Sequence, residues 1–342
     1  MILTTDLHLT DRPRDAYRWD LFPWLREVLS DDSSQPLLIL GDITDAKDGH
    51  SAALVDRMVS ELVALDREVY VLKGNHDYID PATPFFGFLD QIENITFITQ
   101  PELVDVDGLH VLFLPHTRTP SQDWTVLVES EDWKPSEIDL ICCHQTFDGA
   151  DAGGGHRLTG GVSSRFFSDH GFDGLVLSGD IHVPQKIGDV TYIGTPYPIT
   201  FGDDHDGRVL ALGADATDFR TISVPTIRKL ALNVTSAVES FDINAGDQVK
   251  VRVSLERAEF AAWDEIKQAI VTKIERQGGK VHSVELLPTD EPVSAPLKVA
   301  ADTQSNKSPQ DILQDFCRYK ALEERDAWMG EDILAAAISR GQ

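Results

Sequence analysis

Short apolar runs alternate with amphipathic stretches over the first 80 residues of the chain. Met1–Thr5, Pro36–Leu40 and Val69–Leu72 are rich in aliphatic and β-branched residues, which is typical of buried strands. Between them, Asp15–Leu29 and Ser51–Leu65 carry apolar residues at helical spacing. Strand, helix, strand, helix, strand is the order of a βαβαβ unit, so we predict a parallel sheet with right-handed crossovers.

The pattern continues beyond this unit. Pro23 lies inside the first helical stretch and predicts a kink or a break between two shorter helices, because proline removes a backbone donor. After residue 84 the pattern predicts a short helix and then more strands, so the chain belongs to the α/β class. These later strands are Ile95–Ile98, Leu103–Val106, Leu109–Leu114, Ile138–Cys143, Leu175–Ser178, Val190–Ile193 and Arg208–Leu212.

Three successive predicted strands each end in side chains that bind divalent metals. Asp6 and His8 follow the first strand, Asp42 follows the second, and Asn75 and His76 follow the third. Because the carboxyl ends of parallel strands meet at one edge of a sheet, we expect these side chains to lie together. A single such ending is compatible with a turn whose polar groups are satisfied, but three in register indicate a site.

Two later strands extend this set, with His144 after one and Asp180 and His182 after the other. Imidazole, carboxylate and amide ligands without thiolate favour Mn, Fe, Zn or Mg over a structural zinc site. The ligands are too many for one ion, so we predict two ions about 3.5–4 Å apart, an arrangement that clamps a phosphorus centre under attack. The collected residues are Asp6, His8, Asp42, Asn75, His76, His144, Asp180 and His182.

These motifs, in this order, resemble the signature of the calcineurin-like metallophosphoesterases. The quoted motifs are Asp6-x-His8, Gly41-Asp42, Gly74-Asn75-His76-Asp77, His144 and Gly179-Asp180-Ile181-His182. The resemblance implies a metallophosphoesterase β-sandwich flanked by helices, in the layer order α/β/β/α.

The resemblance also implies a role for each matching residue. Asp6, His8 and His182 would hold one metal. Asn75, His144 and Asp180 would hold the other, and Asp42 would bridge the two. His76 would act on the substrate, by stabilising the transition state or protonating the leaving oxygen, and Asp77 would hold the ring of His76.

Asp180 is a departure from the family, which usually has histidine at this position. Aspartate still coordinates a hard divalent ion, but it replaces a borderline-soft nitrogen with a charged oxygen. We therefore expect two divalent ions with Mn preferred, while Mg, Fe and Zn stay open.

A further run narrows the substrate. Tyr192-Ile193-Gly194-Thr195-Pro196, followed by Phe201-Gly202-Asp203, is similar to the Tyr-x-Gly-Ser-Pro and Phe-Gly-Glu run of the SbcD-type nucleases, which repair DNA double-strand breaks and are related to the meiotic recombination eleven nucleases. This resemblance implies hydrolysis of DNA together with an SbcC-like SMC ATPase. The alternative is a stand-alone phosphodiesterase or phosphatase that acts on a small-molecule or protein phosphoester.

Three residues are candidates for substrate contact. Tyr192 and Thr195 belong to the run just described, and His156 lies in the glycine-rich loop 149–161. A turn and a flexible surface loop explain the same residues without any substrate. His110 and His116 are interpreted as structural or surface histidines, and a place beside the site is left open for His116.

We divide the chain into four segments. Residues 1–225 form the metallophosphoesterase nuclease domain, and residues 226–289, with a β-β-α-β pattern and many Lys and Arg, form a small α+β capping domain that binds DNA. Residues 290–307 are a Pro/Ser/Thr/Asp-rich linker. Residues 308–342 form a helical tail whose apolar stripes are predicted to bind the ATPase partner, with packing on the capping domain as the alternative.

Charge is the main compositional objection to this reading. The formal net charge of −27 argues against long-range attraction to nucleic acid, so we expect the ATPase to supply much of the DNA affinity. Three cysteines without metal or disulfide spacing, an amino terminus unlike a signal peptide and no run that spans a membrane predict a cytoplasmic protein. The length and compact cap resemble phage-encoded members, which would place it in the host cytoplasm. A homodimer is left open.

Overall fold

Two six-stranded β-sheets dominate the computed structural model. The structure describes residues 1–30, 34–80, 82–236 and 240–288. The predicted linker and helical tail lie outside the described residues. The strands are β1 (Ile2–Thr4), β2 (Leu37–Ile39), β3 (Val69–Leu72), β4 (Ile95–Ile98), β5 (Glu102–Val106), β6 (Leu109–Leu114), β7 (Leu140–His144), β8 (Leu175–Gly179), β9 (Gln185–Ile187), β10 (Val190–Tyr192), β11 (Arg208–Leu212), β12 (Phe219–Ser223), β13 (Lys229–Thr235), β14 (Gln248–Leu255) and β15 (Lys280–Pro288).

Each large sheet has a parallel centre. The first has the order β12-β11-β1-β2-β3-β4, and β1 through β4 pair in parallel, as the βαβαβ pattern predicts. The second has the order β5-β6-β7-β8-β10-β9, with β6, β7, β8 and β10 parallel. Antiparallel strands β11 and β12, β5, and β9 complete the edges. The carboxyl ends of the parallel strands therefore lie at the same end of each sheet.

Side chains that alternate along each strand build three apolar layers. Leu3 packs between the sheets with Phe113 and Leu177, whereas its neighbour Ile2 faces the helices on the outer side of the first sheet. On the outer side of the second sheet, Trp124 covers the strands through a separate cluster. The order helix, sheet, sheet, helix confirms the predicted fold class.

Five α-helices lie in the described residues: α1 (Leu21–Val28), α2 (Ala52–Val63), α3 (Pro120–Val128), α4 (Phe166–Asp169) and α5 (Trp263–Arg276). A 3₁₀-helix, Pro13–Asp20, leads directly into α1, so the predicted pair of short helices is present. The junction precedes Pro23, however, which occupies the first turn of α1. A proline is tolerated there because its missing N–H would have no partner in the helix.

A third, smaller sheet contains β13, β14 and β15, all parallel, and follows the predicted β-β-α-β order with α5. Its own apolar cluster joins Val251 and Val253 of β14 to Ile270 and Ile274 of α5. It belongs to the same compact unit, Met1–Pro288, as the large sheets. Its status as a separate capping domain stays a prediction. Of the helices in the described ranges, none has the length and apolar character to cross a bilayer.

Candidate metal centre

The candidate metal ligands follow strands whose carboxyl ends meet where the two large sheets adjoin. Asp6 and His8 follow β1, Asp42 follows β2, and His144 ends β7, so both sheets contribute. The ligand atoms of Asp6, His8 and His182 lie within 4.8 Å of one another, as do those of Asp6, Asp42 and His144. The two groups share Asp6. The first is the set that the family resemblance implies for one metal, whereas the second contains His144 and Asp42 but not Asp180.

The backbone at these residues is unusual. Asp6, His8, Asp42 and Asp180 all have positive φ, at 50°, 43°, 54° and 84°. A non-glycine residue rarely adopts this region, and its cost is commonly found where surrounding contacts hold a functional geometry. The backbone conformation after these strands directs the four side chains toward one another, and it carries a cost in backbone strain.

Asp42 belongs to the second group and also approaches the first. Its Oδ2 is 3.6 Å from His8 Nε2, and its Oδ1 is 3.4 Å from His144 Nε2. Its role as a bridging ligand stays a prediction. Gly74 makes this approach feasible, because a Cβ there would lie 2.2 Å from Asp42 Oδ1.

Several ligand atoms are buried without a hydrogen-bond partner among the described residues: Asp6 Oδ1, Asn75 Oδ1 and His144 Nε2. Leaving a buried polar atom unpaired is costly, so such atoms demand an explanation. Coordination of a divalent cation supplies one, since these oxygen and nitrogen atoms are ligands for such ions. The donor set therefore fits the metals that the sequence predicts.

Protonation of the histidines differs across the centre. Burial, with the neighbouring His182 and His76, holds the pKa of His8 well below its ordinary value, so its ring is neutral. Burial also lowers the pKa of His144, but the charges of Asp42, Asp6 and Asp180 outweigh this and raise it to about 9. The carboxylates therefore hold a proton on His144 when no metal ion is bound.

Asp180 is half-buried and takes part in a local network. Its Oδ2 accepts a hydrogen bond of 2.5 Å from the Thr146 hydroxyl, and its Oδ1 lies 3.9 Å from His144 Nε2. Its backbone N–H donates to Asp6 Oδ2 at 3.2 Å. One carboxylate oxygen is thereby fixed and the other faces His144. Asp180 belongs to none of the groups of converging ligand atoms in the described residues, so its ligand role stays a prediction.

His76 and Asp77 do not form the predicted pair. In the described part of the chain, His76 Nδ1 bonds the Asp45 carbonyl at 2.7 Å, which leaves Nε2 for the site. The Asp77 carboxylate instead accepts from the backbone N–H groups of Asp42, Ile43 and Gly74 at 2.7–3.0 Å. The prediction that Asp77 holds the His76 ring is therefore wrong; Asp77 joins the loops after β2 and β3.

His76 also lies close enough to ligate a metal. Its ligand atom is within 4.8 Å of those of His8 and Asp42, and its ring contacts that of His8 edge-on, with centroids 4.7 Å apart. The division of labour implied by the resemblance, with Asn75 as ligand and His76 acting on substrate, stays a prediction.

The residues predicted for substrate contact lie elsewhere. Tyr192 is fully buried, and its hydroxyl accepts from Phe147 N at 2.7 Å and donates to Gln145 O at 3.0 Å. Thr195 is also fully buried. Both positions are closed to a substrate, so these two predictions are wrong. His156 is exposed in its loop, and its substrate role stays a prediction.

Some contributors escaped the sequence analysis. The buried Arg18 guanidinium donates to the His8 carbonyl and lies 3.8 Å from Asp45, which offsets part of the negative charge beneath the centre. Thr146 anchors Asp180, as described above. Asp45 follows Asp42 by three residues in the same loop. This closeness in sequence to a candidate ligand is the feature by which Asp45 could have been identified.

Comparison with known proteins places the chain in a family. The calcineurin-like phosphoesterase profile matches residues 1–184 of the 342, and the chain belongs to this family of metal-dependent hydrolases. A search of curated proteins finds no match.

Two solved structures are similar to the chain. One is the nuclease MPE of Pseudomonas putida, with 14% identity, a TM-score of 0.28 and coverage of 61% of this chain and 82% of that one. The other is a dimetal phosphatase from Danio rerio, with 13% identity, a TM-score of 0.36 and coverage of 66% and 98%.

Proposed function

We propose that this phosphoesterase is a two-metal DNA nuclease of the SbcD type, which acts with an SbcC-like SMC ATPase in DNA repair, recombination or replication. The observation that carries phosphodiester hydrolysis is the convergence of Asp6, His8, Asp42, His144 and His182 on one centre with unpaired ligand atoms. Two divalent ions in such a centre activate water and offset the charge of a phosphate.

The chain's own residues supply positioning and proton transfer. Asp42 faces both ligand groups and therefore sets their separation. His76 donates from Nδ1 to the Asp45 carbonyl, which leaves its Nε2 available to a substrate. Burial lowers the pKa of His76 and so disfavours the charged ring in the free protein. The negative charge of a bound phosphate would favour protonation at Nε2, and that proton would pass to the leaving sugar oxygen.

A cationic cluster beside the centre supports an extended anionic substrate. The Tyr78 ring contacts Lys73 Nζ at 4.9 Å and Arg118 Cζ at 5.5 Å. The Tyr78 hydroxyl bonds His116 Nδ1 at 2.8 Å, and the His116 ring lies 6.1 Å from that of His144. Lys73 is buried and burial lowers its pKa, whereas Arg118 is exposed, so Arg118 is the cation proposed to contact the phosphates that neighbour a scissile bond.

The remaining parts of the proposal rest on sequence. The tail 308–342 is proposed to bind the ATPase, and cytoplasmic location and a homodimer belong to the same reading. Mn is the proposed metal because of Asp180. The stand-alone phosphodiesterase or phosphatase is the competing outcome of the test below.

The test compares hydrolysis of end-labelled DNA, a cyclic nucleotide and an aryl phosphomonoester in Mn²⁺. We expect DNA cleavage, and we expect His76→Ala to reduce it by about 10²–10⁴-fold while the bound Mn content is unchanged. His110→Ala removes an exposed histidine on β6 and serves as the matched control. Fast monoester turnover with inert DNA would establish the competing function, and full activity in His76→Ala would remove its assigned role.

A further inference from the structure

The segment Gly194–Asp203 holds the ligand His182 at two points. Thr195 N donates to the His182 carbonyl at 3.0 Å. Asp203 Oδ2 lies 3.3 Å from His182 Nδ1, while His182 Nε2 lies 3.3 Å from His8 Nε2. The two ring nitrogens therefore face opposite ways, one toward a carboxylate and the other into the metal centre.

Asp203 is itself rigidly placed. It is buried, its Oδ2 accepts from Ile199 N at 2.7 Å and from Thr200 N at 2.8 Å, and its Oδ1 accepts from the Thr200 hydroxyl at 2.8 Å. These three hydrogen bonds fix the orientation of the Asp203 carboxylate, which thus stands behind His182.

We propose that Asp203 is a positioning residue for the metal centre. It accepts from Nδ1–H of His182, which selects the tautomer with its Nε2 lone pair free for an ion. A carboxylate behind a ligating imidazole also fixes the ring plane and makes the imidazole a stronger donor. The proposal rests on the metal-dependent part of the proposed function and on nothing concerning DNA.

This proposal assigns a structural role to residues 192–203. Their resemblance to nuclease sequences suggested substrate contact, yet Tyr192 and Thr195 are closed to solvent. This run contacts His182 at its carbonyl, through Thr195 N, and at its ring, through Asp203. The segment also touches the third sheet, since Lys229 Nζ donates to the Ile199 carbonyl at 2.8 Å.

The test is Asp203→Asn, which keeps the shape of the side chain. The amide oxygen at the Oδ2 position still accepts from Ile199 N and Thr200 N, and the amide NH₂ still reaches the Thr200 hydroxyl, so only the charge is lost. By titration calorimetry with Mn²⁺ we expect one of two sites to weaken about 10- to 100-fold. In parallel, the exchange-coupled EPR spectrum of paired Mn should be lost at two equivalents of metal.

Asp204→Asn is the matched control, because it removes the same charge from the adjacent, exposed residue. We expect Asp204→Asn to bind two Mn²⁺ as the wild type does. Wild-type affinity at both sites in Asp203→Asn would overturn the proposal. These readouts contain no substrate, so a failure of the wild type to cleave DNA would count against the proposed function alone.

A second measurement uses the wild-type protein, so its result does not depend on whether Asp203→Asn folds. With Zn²⁺ bound, nitrogen-15 NMR of the His182 ring should show a proton on Nδ1 that exchanges slowly with water. The His182 signals are identified by their loss in His182→Gln. A ring that binds Zn²⁺ through Nδ1, or a rapidly exchanging Nδ1 proton, would overturn the assignment.

Discussion

At the scale of single residues, we predict that His144 couples metal binding to pH. It is fully buried between Asp42, Asp6 and Asp180, which raise its pKa to about 9 against the desolvating effect of burial. A metal ligand must present a free lone pair, so the proton has to leave when an ion binds. The carboxylates that attract the ion therefore also retain the proton with which it competes.

We predict that Mn²⁺ binding at pH 7 releases protons held in the metal-free centre, because the pKa of His144 is raised to about 9 and burial raises the pKa of Asp42 well above its ordinary value. Apparent affinity should rise with pH, by up to about tenfold per unit, and level off above the pKa of His144. Calorimetry in buffers of different ionisation enthalpy measures the released protons. Binding without proton release at pH 7 would contradict the prediction.

The raised pKa of His144 also determines how the stability of the metal-free protein changes with pH. Because the pKa of His144 is raised on folding, its contribution to stability is fully present below about pH 6.5, the ordinary value for histidine. That contribution is lost as pH rises toward about 9. Metal binding should offset this loss of stability, because its affinity is highest at the pH where His144 is neutral and no longer pairs with the carboxylates.

At the scale of elements, local sequence accounts for most of the framework around the site. Apolar runs identify β1, β2, β3, β7 and β8 because each is buried on both faces and ends in polar residues. The pattern missed β9 (Gln185–Ile187) and β12 (Phe219–Ser223). Both are edge strands with half-exposed or exposed residues, so neither carries a continuous apolar run.

Contacts between elements are where sequence reasoning failed. The family resemblance implies that Asp77 holds the His76 ring, yet the Asp77 carboxylate accepts from backbone N–H groups of another loop. Backbone donors leave no trace in a sequence because every residue except proline carries one. Tyr192 was likewise assigned to substrate from a resemblance, although its hydroxyl serves the backbone of the strand-end loop beside it.

The start of α2 permits a quantitative test at this scale. The Ser51 hydroxyl accepts from Leu54 N at 3.1 Å, which caps the helix that crosses between β2 and β3. We predict that Ser51→Ala lowers the free energy of unfolding by about 1 kcal/mol. Urea denaturation at constant Mn²⁺ measures the change.

Ser60→Ala is the control for that experiment, because Ser60 is exposed within the same helix and alanine is the better helix former there. We expect an unchanged or slightly increased free energy of unfolding. Equal losses in both variants would show that the Ser51 hydroxyl contributes no capping energy.

At the scale of the whole molecule, the position of the charges bears more on binding of an anionic substrate than the net charge does. The net charge of −27 includes buried carboxylates of the centre, such as Asp6, Asp42 and Asp77, which bound cations would offset. Burial raises the pKa of all three, so their charge is costly without a counterion. Of the two cations that contact the Tyr78 ring, Arg118 is exposed, whereas Lys73 is buried and burial lowers its pKa.

The exposed Arg118 therefore offers the sharpest test of an extended substrate. If it contacts a phosphate beside the scissile one, Arg118→Gln should raise KM for DNA and reduce the slope of log(kcat/KM) against log[salt] by about 1. Hydrolysis of a bis-aryl phosphodiester, which has no second phosphate, should be unchanged. Arg165→Gln removes an exposed arginine that pairs with Asp169 and is the control. An equal loss on both substrates would assign Arg118 to the scissile phosphate itself, and no loss on either would exclude the cluster from substrate binding.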